Sequence, residues 1–180
     1  MVIEISLYGR GGQGVVAAGE LLVRAAVKQG IYAQSIPFFG GERRGAPVRS
    51  GVRISDKPIY THESIRSADI IAVFDTSLLS IISLDMLKES GSLLVNAPSA
   101  QKLADNTYYV DATSIAKSLG LVIAGWPLVN TALMGALAKL SGLVDIEDLK
   151  AIAKEQFSGE RGELNAQAIE LGANRVRKVE

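Results

Sequence analysis

A glycine-rich segment near the N-terminus carries the clearest chemical signal in this sequence. Residues 9–14 read G-R-G-G-Q-G and satisfy the pattern G-x-G-x-x-G, directly after a β-branched apolar stretch and at the opening of a stretch with helical spacing. In that context backbone N–H groups face an anion, with a helix dipole behind them. The segment therefore predicts a phosphate or pyrophosphate site, unless the glycines serve only tight packing of the strand against the helix.

A nicotinamide dinucleotide site would also require a carboxylate near the end of the second strand, where it binds the ribose hydroxyls. Positions 31–41 contain no Asp or Glu, and the first acidic residue after the helix is Glu42. The pattern therefore argues against NAD or FAD binding. A free-standing dinucleotide-binding oxidoreductase is kept as the alternative class of function.

Four arginines lie close together in a chain that is neutral overall. Arg43, Arg44, Arg49 and Arg53 fall within eleven residues, offset only by Glu42. Residues 48–55 alternate in polarity, which predicts a half-exposed strand with Arg49 and Arg53 on one face. The arginines together then form a patch suited to phosphates or to an acidic partner surface. The alternative is a solvated strand face with an ion pair between Glu42 and an arginine.

Composition excludes several classes of protein. The chain has 180 residues, 48% hydrophobic and 21% charged, with 19 Lys+Arg against 19 Asp+Glu, so it is neither disordered nor a globally basic nucleic-acid binder. It contains no Cys, and therefore supplies no thiolate to a metal or an iron–sulfur cluster. His62 is the only histidine and is interpreted as a turn residue. No signal-peptide pattern is present, which predicts a cytoplasmic protein.

Hydrophobic periodicity predicts strands alternating with helices and then a helical C-terminal third. The uncharged stretch 118–138 is broken by Gly and Pro, and is interpreted as a strand, a turn and a helix start rather than a membrane span. We expect an α/β fold, a single Rossmann-like layered domain over residues 1–180, with a mostly parallel sheet flanked by helices and a helical C-terminal tail. An antiparallel hairpin is expected around residues 48–60. The strands are predicted at 2–8, 31–36, 48–55, 68–74, 92–95 and 107–111, and the helices at 14–29, 76–89, 113–119, 128–140, 146–157 and 163–176.

Three stretches in combination carry a family resemblance. They are G-R-G-G-Q-G at 9–14, F-G-G-E-R-R-G-A-P-V at 39–48 followed by V-R-I-S at 52–55, and N-T-A-L-M-G-A at 130–136. In their order and spacing, and in the length of the chain, the sequence resembles the gamma subunit of the 2-oxoacid:ferredoxin oxidoreductases from end to end. The resemblance implies a subunit, inactive alone, of an enzyme that oxidatively decarboxylates a 2-oxoacid to an acyl-CoA.

The resemblance also implies a division of cofactors among subunits. Thiamine diphosphate, Mg and the iron–sulfur clusters belong to alpha, beta and delta type subunits or domains, which pass electrons to ferredoxin, whereas the gamma subunit contributes to coenzyme A binding and to assembly. It implies no catalytic and no metal-binding residue in this chain, and neither a nucleic acid nor a membrane as partner. Carried over to this sequence, the residues that approach the phosphates of coenzyme A are Gly11, Gly12, Gln13 and Gly14, while Arg43 and Arg44 either contact coenzyme A or dock onto the catalytic subunits.

The arginine motif also bears on the substrate. E-R-R-G-A-P at 42–47 resembles the pyruvate-type branch, whereas 2-oxoglutarate-type members more often have A-R-G-G-A. The preceding F-F-G-G at 38–41 departs from the Tyr-Gly-Pro or Tyr-Gly-Ser of the family. Pyruvate is therefore the expected substrate, with branched-chain 2-oxoacids next and 2-oxoglutarate after them. A purely structural adaptor, in which the glycines pack and the arginines dock, is the third hypothesis.

Overall fold

The computed structural model describes residues 1–38 and 43–180. The predicted loop residues Phe39, Gly40, Gly41 and Glu42 lie outside this range. The strands are β1 (Val2–Arg10), β2 (Tyr32–Pro37), β3 (Pro47–Ser55), β4 (Ala68–Val73), β5 (Leu87–Asn96), β6 (Asn106–Val110), β7 (Val122–Ile123), β8 (Trp126–Pro127) and β9 (Arg177–Lys178). The helices are α1 (Val15–Lys28), α2 (Ala112–Ser118), α3 (Asn130–Ser141), α4 (Ile146–Gln156) and α5 (Glu160–Arg175).

One seven-stranded sheet organises the described residues, in the order β2-β3-β1-β4-β5-β6-β9. β1, β4, β5 and β6 are parallel neighbours, and β2 runs in the same direction, whereas β3 and β9 run in the opposite direction. The predicted fold class, a mostly parallel α/β sheet with a C-terminal helix, is confirmed. The antiparallel hairpin predicted around residues 48–60 is wrong, because β3 pairs with β1 and β2 and no strand follows it before β4.

The two faces of the sheet are covered differently. In the described ranges, each of the helices α1 to α5 contributes buried apolar side chains to one core, against residues such as Leu7 and Val52. The opposite face packs against Ile65 and two short 3-10 turns, Thr76–Ser80 and Leu84–Met86. Parallel sheets are normally covered by helices on both faces, so the second face has an unusually thin cover.

The helix predicted over residues 76–89 is therefore wrong. The side chains of Asp75 and Ser83 accept hydrogen bonds from the backbone N–H groups of Ser77 and Asp85, at 2.9 and 3.3 Å. Such local side-chain bonds compete with a continuous helix and stabilise short turns instead. β5 then begins at Leu87, inside the predicted helix.

β3 is an internal strand rather than a half-exposed one. It lies between β1 and β2, and Arg53 is only 3% exposed, with its Nε donating to Glu4 Oε1 at 2.9 Å. The polar alternation that predicted solvent contact reflects a buried ion pair on the second face of the sheet. From Ser50 to Ser55 every residue of β3 is buried, so packing covers both faces of this part of the strand.

α3 and α5 cross with almost no space between their backbones. A Cβ atom added at Gly135 would lie 2.0 Å from the carbonyl oxygen of Ile169, and one added at Gly172 would lie 1.9 Å from that of Ala132. Beside this crossing, Thr131 Oγ1 donates to Asn165 Oδ1 at 2.9 Å. The crossing holds α3 so that its first residue, Asn130, reaches the glycine-rich segment.

The uncharged stretch 118–138 folds as predicted, into the end of α2, the β7–β8 pair and the start of α3. Within residues 1–38 and 43–180, no helix has the length and apolar character needed to cross a bilayer.

Candidate functional site

The glycine-rich segment connects β1 to α1, as predicted. Gly14 precedes the first turn of α1 with φ +76°, a left-handed conformation that glycine adopts without strain. The first turn contains no acidic residue, and no side chain caps it. The free N–H groups and the positive end of the helix dipole therefore remain available to an anion.

The glycine-rich segment and the arginine turn, residues 43–46, are joined by backbone hydrogen bonds. Gly11 N donates to the carbonyl of Ala46 at 2.8 Å, and Gly45 N donates to the carbonyl of Gly11 at 3.0 Å. A Cβ at Gly11 would lie 2.5 Å from the Arg43 carbonyl oxygen, so only glycine permits this approach. The packing explanation for the glycines therefore holds at Gly11.

The two segments line one cleft of about 440 Å³. Gly12 is exposed there with φ +97°, and both Arg43 and Arg44 are exposed at the same cleft. Neither arginine forms an ion pair with a carboxylate of the described residues, and none of the described residues that line the cleft is acidic. The described part of the cleft therefore combines two arginine cations with a helix N-terminus.

The far wall of the cleft is apolar. Val15, Val16 and Leu128 line it together with Ile123, which is 45% exposed on the β7–β8 pair. Arg44 reaches across toward this pair, with its NH2 group 3.4 Å from the carbonyl oxygen of Ile123. A ligand with an anionic group and an apolar or aromatic portion could place the anion at the arginines and the apolar portion against this wall.

Arg10 is a part of the site that the sequence analysis did not single out. Its NH1 group donates to the Gly45 carbonyl at 2.9 Å, its NH2 group donates to Ser77 Oγ at 2.7 Å, and its Nε lies 3.4 Å from Asp75 Oδ2. Arg10 thereby fixes the arginine turn to the carboxyl end of β4, and Asp75 offsets its charge. The signal in the sequence is Asp75, which comes two residues after the buried parallel strand β4, at the edge of the sheet where ligands bind.

Gln13, predicted among the phosphate contacts, does not line the cleft. It is 7% exposed, and its Oε1 accepts a hydrogen bond from the Arg10 backbone N–H at 2.7 Å. Asn130 packs closely against Gly14 of the glycine-rich segment. A Cβ atom added at Gly14 would lie 2.5 Å from the Nδ2 atom of Asn130. Gln13 and Asn130 thus shape the loop, and the three sequence stretches of the family resemblance are neighbours in space.

Arg49 and Arg53 do not join this cleft. Both lie on the second face of the sheet, Arg53 beside Glu4 and Arg49 between the rings of Phe38 and Tyr8. The prediction that the four arginines form one patch is therefore wrong. Side chains two residues apart on a strand lie on the same face, and on β3 the face that holds Arg49 and Arg53 is not the one at the cleft. His62 is exposed and lies 2.9 Å from Gln34 Nε2 through its Nδ1 atom.

The strand order bears on the dinucleotide alternative. In a dinucleotide-binding fold, the strand after the first helix lies beside the first strand, so its carboxylate is near the glycine loop. Here the antiparallel β3 lies between β1 and β2. The end of β2 is therefore one strand too far from the glycines, and no acidic residue is present along it.

Comparison with known proteins places the chain in a family. A family model described as pyruvate ferredoxin/flavodoxin oxidoreductase matches residues 4–175. The chain is 44% identical over 184 aligned positions to the pyruvate/ketoisovalerate oxidoreductases common subunit gamma of Thermococcus kodakarensis, covering 97% of each. It is 42% identical over 179 positions to the pyruvate synthase subunit PorC of Methanocaldococcus jannaschii, covering 98% of each.

Solved structures of related proteins have the same fold as this chain. The crystal structure of the pyruvate oxidoreductase subunit PORC from Thermotoga maritima superposes with a TM-score of 0.84 at 31% identity, covering 99% of both chains. A 2-oxoglutarate:ferredoxin oxidoreductase from Magnetococcus marinus matches with a TM-score of 0.80 at 19% identity, over 99% of this chain and 32% of that one, which shows a shared fold. The chain belongs to the pyruvate ferredoxin/flavodoxin oxidoreductase family, and the predicted resemblance to its gamma subunits is confirmed.

Proposed function

We propose that this chain is the gamma subunit of an oxidoreductase that converts a 2-oxoacid, coenzyme A and oxidised ferredoxin to acyl-CoA, carbon dioxide and reduced ferredoxin, and that its cleft binds the phosphates of coenzyme A. The observation that carries the proposal is the convergence of the α1 N-terminus, Gly12 and the guanidinium groups of Arg43 and Arg44 on one cleft. The family and the full-length gamma relatives support the subunit assignment.

The residues present fit coenzyme A. Its pyrophosphate suits free helix N–H groups, and its 3′-phosphate suits an arginine fork. The apolar wall at Val15 and Leu128 offers contact to the uncharged parts of the ligand. When bound, coenzyme A supplies the thiol that accepts the acyl group; the residues of this chain bind and orient it.

The remaining cofactors belong, in this proposal, to partner subunits. This chain has no Cys, so it offers no thiolate to an iron–sulfur cluster. Across the described residues, no group of three or more His, Cys, Asp or Glu side chains is arranged to hold a metal ion. Thiamine diphosphate, Mg and the clusters are therefore assigned to alpha, beta and delta type subunits or domains, with ferredoxin reached through the complex.

Pyruvate is the proposed substrate, and its selection is assigned to other subunits. The Thermococcus kodakarensis relative is named as a common subunit of pyruvate and ketoisovalerate oxidoreductases. A subunit shared by two enzymes would not itself distinguish their substrates. One gamma chain serving both a pyruvate and a branched-chain enzyme is accordingly the second candidate.

Anoxic affinity purification of this chain from its own cells tests the proposal directly. We expect thiamine-binding and cluster-bearing subunits to co-purify, identified by mass spectrometry, and the complex to reduce ferredoxin with pyruvate only when coenzyme A is present. Parallel assays with 2-oxoisovalerate and 2-oxoglutarate separate the substrate alternatives. Recovery of the chain alone, under conditions that keep complexes intact, would contradict the subunit assignment.

The variant Gly12→Ala tests the glycine-rich segment. A Cβ at Gly12 would point into the open cleft, where only Arg44 Cγ lies within 4 Å, at 3.9 Å. We expect the Kd for coenzyme A, measured calorimetrically on the assembled complex, to rise about tenfold because the phosphate is pushed away from the backbone.

Gly30→Ala is the matched control, since Gly30 has φ +75° and open space around it, outside the cleft. Both variants should lose about 1–2 kcal/mol of unfolding free energy to left-handed strain. Only Gly12→Ala should weaken coenzyme A binding. Equal affinity in the two variants would remove this segment from the ligand site.

A further inference from the structure

A second cleft of about 400 Å³ opens on the sheet face opposite the helices. Its walls come from Tyr8 at the end of β1, Val48 and Arg49 on β3, and Leu78, Ile81 and Met86 on or beside the 3-10 turns. It is separate from the phosphate cleft, which lies at the glycine-rich segment, although Val48 borders both. The function proposed above does not use it.

Arg49 brings a positive charge into this cleft, and the described residues provide no carboxylate to match it. Its NH2 group donates to the Ile65 carbonyl and lies 3.4 Å from Ser6 Oγ, while its buried Nε–H has no acceptor among the described residues. No ion pair joins it to a carboxylate within residues 1–38 and 43–180. Arg53, on the same face of the same strand, is paired with Glu4 at 2.9 Å. Among the described residues, therefore, one of these two arginines has a carboxylate partner, and the guanidinium of the other is available to an anion.

Tyr8 provides a second donor with a weak acceptor. Its hydroxyl donates to the thioether sulfur of Met86 at 2.7 Å, and thioethers accept hydrogen bonds poorly. Burial raises the pKa of Tyr8, although Arg49 acts in the opposite direction, so the phenol stays protonated at neutral pH. A carboxylate entering the cleft would find a guanidinium and a phenolic O–H on its walls.

The rest of the cleft is suited to protein contact. Ile81 is 63% exposed at its rim, and the sheet face beneath it has no helical cover within the described ranges. Arg, Tyr and Met are enriched in the cores of protein interfaces, where a few buried anchors carry most of the binding energy. An acidic side chain with apolar neighbours complements this combination of charge and surface.

We propose that this second cleft is a docking site for another subunit of the oxidoreductase, which inserts an Asp or Glu side chain, flanked by apolar residues, against Arg49. The inference rests on the proposed function in one respect, since it requires that partner subunits exist. It adds the surface that one of them contacts and the chemistry of that contact.

The test uses the complex reconstituted from its purified subunits. A photo-crosslinking amino acid at position 81 should form a covalent link to another subunit, in a peptide that contains Asp or Glu. Arg49→Met should weaken association of the subunits at least about thirtyfold, because an interfacial carboxylate would be left without its partner. Ile81→Asp should weaken it about tenfold or more through charge repulsion and loss of apolar contact. Arg49→Lys, which keeps the charge, should lie between wild type and Arg49→Met.

Controls separate docking from folding. Arg66→Met removes an exposed arginine outside this cleft, and Val27→Asp repeats the Ile81 change at a 57% exposed position on α1. Both should assemble as wild type does. Thermal unfolding of each isolated variant shows whether it is folded, and if Arg49→Met is not, Ile81→Asp decides the result because its side chain lies mainly in solvent.

The outcomes discriminate among occupants. Restored assembly when Arg49→Glu is combined with reversal of the crosslinked acidic residue would establish the contact. Wild-type association of both Arg49→Met and Ile81→Asp overturns the proposal. So does a crosslink to a second copy of this chain, or a small carboxylate found in the cleft by native mass spectrometry without a crosslink. Failure of the wild-type chain to join any complex would refute the proposed function itself, and is seen before any variant is compared.

Discussion

Charge reversal of both Arg43 and Arg44 to glutamate is expected to weaken coenzyme A binding by about a hundredfold or more, as each charge-assisted hydrogen bond contributes ~1.5–3 kcal/mol and tenfold in affinity corresponds to ~1.4 kcal/mol. Both side chains are exposed at the cleft and unpaired among the described residues, so their loss leaves no buried charge behind. The measurement is the KM for coenzyme A in the assembled enzyme. With saturating coenzyme A, kcat should change little, because the phosphates lie far from the reacting thiol.

A double reversal at Lys57 and Lys102 makes the same change in net charge outside the cleft and should leave the KM for coenzyme A unchanged. Weakened association of the subunits in the Arg43/Arg44 variant, with an unchanged KM for coenzyme A in the fraction that still assembles, would instead make the two arginines docking residues. That result would favour the adaptor hypothesis. A coenzyme A contact would therefore change the KM for coenzyme A and not assembly, whereas a docking contact would change assembly and not the KM.

The second large effect is expected at the crossing of α3 and α5. Gly135→Ala and Gly172→Ala should each lower the free energy of unfolding by about 3 kcal/mol or more, because the added methyl group meets backbone that cannot rotate away. The contacts in question are 2.0 Å to the Ile169 carbonyl and 1.9 Å to the Ala132 carbonyl. Urea titration followed by circular dichroism measures the change.

Gly142→Ala is the control for this pair, because Gly142 ends the same helix with φ +65° and nothing within 4 Å of the added Cβ. It should cost only the ~1–2 kcal/mol of left-handed strain. Equal losses at Gly135 and Gly142 would show that the helices separate without penalty. Since α3 also holds Asn130 against Gly14, the Gly135 variant should bind coenzyme A more weakly where it still folds.

The sequence predicted the local parts of the site better than their arrangement. The strand–loop–helix context of residues 9–14 is a contiguous feature, and the structure confirms it. The position of β3 between β1 and β2 depends on pairing between distant strands, which hydrophobic periodicity does not encode. For that reason the arginines were predicted as one patch, whereas Arg43 and Arg44 line the phosphate cleft and Arg53 is 3% exposed beside Glu4.

Glycine positions show a similar limit. A G-x-G-x-x-G pattern does not tell which glycine faces a ligand and which one allows another segment to approach. The structure divides these roles, because Gly11 lies against the Arg43 carbonyl while Gly12 faces open space. Apolar spacing was also insufficient for residues 76–89, where it predicted a helix. The side chains of Asp75 and Ser83 accept backbone hydrogen bonds there and stabilise short turns instead.

The paired hydrogen bonds between Gly11 and the Gly45–Ala46 backbone have a consequence for how the cleft moves. Because Gly11 donates to the carbonyl of Ala46 and accepts from the N–H of Gly45, the glycine-rich segment and the arginine turn cannot separate while both hydrogen bonds are intact. The amide protons of Gly11 and Gly45 should therefore show the same protection factor against exchange with solvent, set by a single opening event. A bound ligand that bridges the walls would slow both protons by the same factor, so these two amides would report occupancy of the cleft without any enzymatic assay.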